Sequence, residues 1–340
     1  MTPAEFDPAR LDAFLREHID GLSGTMQLER ISGGQSNPTF FLTYANRRMV
    51  LRKKPPGQTL PSAHAVDREA HVLTALFGSA VPVPPVLLFH PDPDVVGTPF
   101  YIMERVEGRV FGSSDLAGAA VADRRAMVLS FAETLARLHD VDWQEAGLDG
   151  FGRPGGYFQR QVARWSKQWD AERFRDIPDL TRLREYLLAE MPPDDGAASL
   201  VHGDYRLGNM MFHPTEPRVV AVLDWELSTI GHPMADLGFS VICWHSLPEE
   251  YGGLLGLDLA ALGIPSEAEF LERYYASRKT AVSPLQPFHV AFSMFRFAVI
   301  FEGIAARARA GTAAAEDARS VGDLSLAFAR RGLQAAGQGD

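Results

Sequence analysis

Cysteine is nearly absent from this chain. Cys243 is the single one in 340 residues, which excludes an intramolecular disulfide framework and a multi-cysteine metal site. Excess positive charge is missing too. With 33 Lys and Arg against 43 Asp and Glu, the net charge is −10, so the chain lacks the broadly basic surface whose counterion release drives nonspecific nucleic-acid binding. No nucleic-acid partner is expected, although a local basic patch can still hold phosphate. Nor is there an uninterrupted apolar run of membrane-spanning length, since Arg296 and Glu302 break the most apolar stretch, residues 291–304. Residues 1–7 have no basic n-region or apolar h-region, and no repeat or low-complexity tract is visible. These absences give the expectation of a soluble protein of a reducing compartment, cytoplasmic and without membrane contact.

What is present centres on one stretch. The apolar pair Leu200 and Val201 runs into H-G-D-Y-R-L-G-N at residues 202–209, which places His202, Asp204 and Asn209 at the H-x-D-x-x-x-x-N spacing of a kinase catalytic loop. Asp224 follows fifteen residues after Asn209 in V-L-D-W-E, residues 222–226. Phosphoryl transfer needs a carboxylate to take the hydroxyl proton, and carboxylate or amide oxygens to hold Mg²⁺ against nucleotide phosphates. Asp204 suits the first post; Asn209 and Asp224 suit the second, with Glu226 a candidate for a second metal. Residues 210–212 and 219–223 read as two short strands joined by H-P-T-E-P, a hairpin that folds Asp224 back beside Asn209.

Along the chain, short strands come first and helices later. Residues 7–19 carry Leu11, Phe14, Leu15 and Ile19 at helical spacing behind an Asp-Pro start. Strands with turns occupy residues 26–54, and a helix follows at 67–76. Another strand runs over residues 98–106 before a largely helical remainder. This order predicts α+β architecture in two lobes, a small antiparallel sheet lobe over 1–106 and a larger helical lobe over 107–340, rather than alternating βαβ units. The turn at Gly33, Gly34 and Ser36 lets backbone approach a triphosphate closely, though an ordinary glycine hairpin turn looks the same.

Taken together, H-G-D-Y-R-L-G-N, L-D-W-E at 223–226, G-H-P-M-A-D-L at 231–237 and V-L-R-K-K-P-P-G at 50–57 resemble the aminoglycoside phosphotransferase superfamily. These are small-molecule kinases that share the protein-kinase fold, and the nearest resemblance is to kinase domains fused to certain acyl-CoA dehydrogenases. The resemblance implies ATP and Mg²⁺ as cofactors, a hydroxylated small-molecule acceptor, and a functional association with an acyl-CoA dehydrogenase. It implies a phosphate-holding cation on the strand at 49–54. Alternation puts Val50, Arg52 and Lys54 on one face and Lys53 on the other, so Arg52 is the assignment and Lys54 the fallback. Glu69 stands where that cation's ion-pair partner belongs. Adenine is implied to meet the Glu104 carbonyl and the Val106 N–H with Met103 behind the base, and Asp236 to brace the catalytic loop.

Departures from protein kinases bear on the acceptor. Gly203 replaces the arginine that reads an activation-loop phosphate, Trp225-Glu226 replaces Phe-Gly, and only eleven residues separate Asp224 from Asp236. That leaves no room for a long peptide-docking segment and favours a small molecule. The phenylalanine-rich residues 288–304, with His289 and Arg296 seven apart, offer a wall suited to an acyl chain with an anionic head. Two rival readings compete. One is a metallohydrolase using His202, Asp204, His213, Asp224, His232 and Asp236 as ligands; the other is a nucleotide-binding pseudokinase.

Overall fold

Asp7 opens the fold by accepting a hydrogen bond from the Ala9 N–H at 2.9 Å, and Pro8 sits in the first turn of α1 (Pro8–His18). The computed structural model describes residues 5–31, 37–57, 65–309 and 318–339, without the side chains of 318–320. Five strands follow α1: β1 (Gln27–Arg30), β2 (Thr39–Thr43), β3 (Arg48–Lys53), β4 (Val86–His90) and β5 (Phe100–Glu104). They pair antiparallel in the order β1-β2-β3-β5-β4, with α2 (Val66–Leu76) between β3 and β4 in sequence.

Alternation along β3 decides what each face meets. Met49 and Leu51 join Phe40, Leu42, Phe100 and Ile102 beneath Leu11, Leu15 and Ile19 of α1, a core of their own. Val50 and Arg52 face the other way, and Tyr101 of β5, paired with Arg52 in register, packs in the main core with α2.

A short linker leaves the sheet after Glu104. Arg109 exchanges backbone hydrogen bonds with Phe212, N to O at 2.7 Å and O to N at 2.8 Å, which stitches the linker to the second half of the chain. Gly108 is required there, because a Cβ would stand 2.6 Å from the Phe212 carbonyl oxygen.

The second half begins with α3 (Val121–His139), α4 (Tyr157–Glu172) and α5 (Pro178–Ala189). Four short strands then pair antiparallel as two hairpin-like units: β6 (Ser199–Val201) with β9 (Thr229–Gly231), and β7 (Met210–Phe212) with β8 (Val219–Val222). Helices α6 (Met234–Ser240), α7 (Leu259–Leu262), α8 (Glu267–Ser277), α9 (Pro287–Arg309) and α10 (Ala318–Ala335) complete it. The architecture is α+β and bilobal.

Apolar residues surround α9 on nearly every side, and α4, α5, α6 and α10 accordingly bury it. Its length and composition would suit a membrane span, but 78% of the relevant window is buried within the protein. Residues 231–233 lead directly into α6, with Pro233 at its N-cap and Asp236 in its first turn, and β9, which ends at Gly231, pairs Ser199 with Gly231 and Val201 with Thr229. A three-residue strand has no periodicity of its own to be recognised by.

Candidate active site

Asp236 organises the loop after β6. Its carboxylate is 1% exposed and accepts the His202 N–H at 2.6 Å and the Gly203 N–H at 2.8 Å, with His139 Nε2 3.5 Å away. Burial works against its charge, but the bond from His139 and the neighbouring imidazoles hold it below the usual carboxylate range. His202 is fully buried. Its Nε2 donates to the Leu223 carbonyl at 2.9 Å and its Nδ1 accepts the Asp204 N–H at 3.2 Å, so the ring ties the loop to the end of β8 and offers no free nitrogen. Gly203 lies at φ +83° with the Leu227 carbonyl oxygen 2.7 Å from where a Cβ would be. An arginine cannot take that place.

These anchors present Asp204. Its Oδ2 accepts from Asn209 Nδ2 at 2.8 Å and from Arg206 Nε at 3.3 Å, while the same Asn209 amide also donates to the Asp204 carbonyl at 2.9 Å. Asn209 has thereby committed its NH₂ to Asp204. Leu223 N–H donates to the Asn209 carbonyl at 2.9 Å, the bond that draws the two motifs together. Asp224 itself adopts φ 65°, ψ 64°, a left-handed conformation costing about 1–2 kcal/mol for a non-glycine residue.

Arg52 reaches across from the sheet. Its Nε lies 2.8 Å from Glu69 Oε2, its Nη2 2.5 Å from Asp224 Oδ1, and Glu226 Oε2 is 3.8 Å away. Burial opposes the guanidinium charge, but Glu69 and Asp224 more than offset it and hold Arg52 firmly protonated. Burial pushes the Glu69 carboxyl up to about 7; Arg52 opposes this and the negative charges of Asp224 and Glu226 reinforce it. A surplus of carboxylates around one guanidinium is a place where a cation can enter. Lys53 points the opposite way, 2% exposed, with Nζ donating to the Val96 carbonyl at 2.8 Å. Asn37 Nδ2 sits 3.5 Å from Glu226 Oε2.

Of the nucleotide-binding residues expected from the sequence, Gly33, Gly34 and Ser36 lie outside the described residues. Met103 and Glu104 end β5, half-buried, and Arg47 Nη2 meets Glu104 Oε1 at 2.5 Å. The Val106 N–H makes no backbone hydrogen bond among the described residues. Mg²⁺ keeps most of its shell as water and phosphate oxygens and needs only one or two protein ligands; the oriented Asn209 amide and the Asp224 carboxylate fit that demand. Among the described residues, no three His, Cys, Asp or Glu side chains converge on a point that could hold a metal alone. The ligands that a metallohydrolase would need are dispersed: His202 is on Leu223, Asp236 under the loop, His232 on Asp195 at 3.1 Å, and His213 on its own turn.

Beside the catalytic loop opens a cavity of about 270 Å³, whose walls include Arg206, Phe131, Phe239, Tyr251, Ile264 and Phe328. The phenylalanines of α9 do not line this cavity: they are core residues, and Phe297 and Phe301 stand one layer back, 5.4 and 5.6 Å from the Tyr251 ring. His289 lies instead in a different cavity with His232 and Asp195. Cys243 also lines the apolar cavity, and burial pushes its thiol up to about 12, which makes it a packing group rather than a nucleophile. Arg206 was in view within the loop motif but carried no role; only the fold shows that it joins Asp204 to this cavity.

A family model described as the phosphotransferase enzyme family matches residues 27–276. Acyl-CoA dehydrogenase family member 11 of Gallus gallus is 41% identical over 337 residues, covering 97% of this chain and 43% of that protein. The chain thus spans less than half the length of such relatives. A crystal structure from Ralstonia eutropha, provisionally named an aminoglycoside phosphotransferase, superposes with a TM-score of 0.89 at 42% identity, covering 98% of this chain and 99% of that one. At 19% identity, the ternary complex of aminoglycoside phosphotransferase APH(4)-Ia with AMP-PNP and hygromycin B shares the fold, with a TM-score of 0.62 over 95% and 98% of the two chains.

Proposed function

The chain belongs to the phosphotransferase enzyme family, and from that premise we propose an ATP- and Mg²⁺-dependent small-molecule kinase whose acceptor is a hydroxylated, largely apolar compound such as a hydroxyacyl-CoA or hydroxy acid. The observation that carries the reading is the convergence of Asp204, Asn209, Asp224, Arg52 and Glu69 on one cleft, with an apolar cavity opening at Arg206.

In this reading Asn209 and Arg206 hold one oxygen of Asp204, and its Oδ1, which accepts no hydrogen bond among the described residues, takes the proton of the acceptor hydroxyl. The acceptor oxygen bonds to the γ-phosphorus as the bond to the β-phosphate oxygen breaks, and ADP leaves. Asn209 and Asp224 would hold Mg²⁺, which when bound neutralises phosphate charge. Arg52, kept in place by Glu69, supplies a fixed positive charge to the phosphates. Linker backbone at Glu104 and Val106, with Met103 beside it, forms the adenine seat. The curated relatives' names support a further proposal, that the phosphorylated product serves an acyl-CoA dehydrogenase, phosphate being a better leaving group than hydroxide.

The test is a coupled ADP-release assay comparing a medium-chain 4-hydroxyacyl-CoA, its free hydroxy acid and kanamycin, with Asp204→Asn as control. Turnover of the acyl compounds is expected. Asp204→Asn should bind Mg-ATP normally and lose about 10²–10⁴-fold in kcat. Selective turnover of kanamycin would remove the apolar acceptor, and Mg-ATP binding without transfer to any hydroxyl would leave a pseudokinase.

A further inference from the structure

Away from the catalytic carboxylates, three guanidiniums gather where no carboxylate meets them. Tyr157, Arg160 and Arg164 follow one another at i, i+3 and i+7 on α4, and so share a face. Arg296 comes from α9, which packs against α4. The guanidiniums of Arg164 and Arg296 stand 5.3 and 5.7 Å from the centroid of the Trp165 ring, and that of Arg296 also lies 5.5 Å from the Phe239 ring. Arg160 is braced by donating to the Gly155 carbonyl and, at 2.7 Å, to the Arg153 carbonyl.

Among the described residues none of these three arginines has an ion pair, while other arginines that leave the surface do: Arg278 with Asp140 at 3.1 Å, Arg331 with Glu250 at 2.8 Å, Arg175 with Glu302 at 2.9 Å. Arg296 is half-buried, and its Nε, like the Trp165 Nε1, is a buried donor with no acceptor. The surroundings are positive. Burial pushes the Tyr157 phenol up to about 12, with Arg296, Arg164 and Arg160 opposing that rise and Asp236 adding to it. Asp236 cannot serve as counter-ion, since both its oxygens are taken by the catalytic loop. Buried donors such as Arg296 Nε and Trp165 Nε1 are unfavourable unless an acceptor meets them, and a chain of net charge −10 has carboxylates in plenty that are not placed here. Phe239, under the Arg296 guanidinium, is at the same time a wall of the apolar cavity beside Arg206.

We propose that Tyr157, Arg160, Arg164 and Arg296 form an anion-binding subsite that takes a phosphate or carboxylate group, at the border of the acceptor cavity. One source of that group is the anionic tail of the acceptor, which rests on the kinase reading above; the other is a free phosphate-type anion. Guanidinium groups in this arrangement give an anion charge-assisted, forked hydrogen bonds, and the Tyr157 hydroxyl adds a donor.

The test titrates inorganic pyrophosphate into the full chain with AMP-PNP and Mg²⁺ saturating the nucleotide cleft, followed by calorimetry and tryptophan fluorescence. Arg164→Ala and Arg296→Met should each bind pyrophosphate about tenfold more weakly, the loss of one charge-assisted contact. Arg164 is exposed, so its variant keeps the parent melting temperature and answers for folding if Arg296→Met does not. Displacement of pyrophosphate by a medium-chain hydroxyacyl-CoA, and not by the free hydroxy acid, identifies the acceptor's tail as the occupant; retention against both identifies a free anion. Equal pyrophosphate affinity in parent and both variants, or none in the parent, overturns the subsite. This binding result stands whether or not ADP is released, so it fails separately from the kinase reading.

Discussion

Two neighbouring cations on β3 have opposite tasks, and the pleat alone separates them. Arg52 lies in the cleft between Glu69 and Asp224, whereas Lys53 is packed under the sheet with its ammonium on the Val96 carbonyl and 5.1 Å from the Phe6 ring. Burial lowers the Lys53 pKa, with Glu5, 3.8 Å from Nζ, opposing the fall, so its place there is maintained by packing, one hydrogen bond and a loose ion pair. Arg52→Ala should therefore weaken Mg-ATP binding by roughly ten- to a hundredfold, the worth of charge-assisted phosphate contacts. Lys53→Ala should leave that affinity near the parent value and lower the melting temperature. Calorimetric titration and a thermal melt on both variants check this; the reverse order would put the wrong face of β3 in the cleft.

At the scale of elements, the candidate active site depends on β6–β9 pairing and on α6 delivering Asp236 beneath the loop. The first turn of α9 adds a pH-dependent contribution to stability. His289 accepts the Gln286 N–H at Nδ1, 2.9 Å, and stacks 6.0 Å from His232. Burial pulls its pKa from 6.5 down to about 4, with His232 adding to the fall and Asp195 opposing it. The unfolded chain takes up this proton near pH 6.5 while the folded one refuses it until about 4. The contribution is thus complete above the unfolded value and is lost as pH falls through that window, at up to ~1.4 kcal/mol per pH unit for one proton. Denaturant unfolding at pH 7 and pH 5 should show a drop in the parent that is reduced in His289→Gln. An unchanged pH slope in the variant would assign the acid sensitivity to another group.

For the whole molecule, the cleft lies between the sheet and the helical lobe, and Arg52 and Asp224 meet across it. A nucleotide held by both sides should stabilise the fold by mass action, about 2.7 kcal/mol at a hundredfold excess over Kd, seen as a rise of roughly a few degrees in melting temperature. Mg-ATP should give that rise in the parent, and Asp224→Ala should lose most of it. A full shift in that variant would show Asp224 to be dispensable for metal-bound nucleotide.

Local order and the make-up of the candidate site were legible in the sequence to the extent that they follow from short-range rules. Periodicity marked α1, strand alternation separated Arg52 from Lys53, and the spacing of His202, Asp204, Asn209 and Asp224 identified which polar residues share a loop and a hairpin. Such patterns carry their information within a few residues. The rest depended on contacts between distant segments. That β9 pairs with β6, that the cavity wall comes from α3, α6 and α10 instead of α9, and that arginines of α4 and α9 meet one tryptophan ring were decided by tertiary packing. A phenylalanine in a buried helix reads the same whichever neighbour it touches, and an arginine's lack of a counter-ion is defined only once every carboxylate has its place.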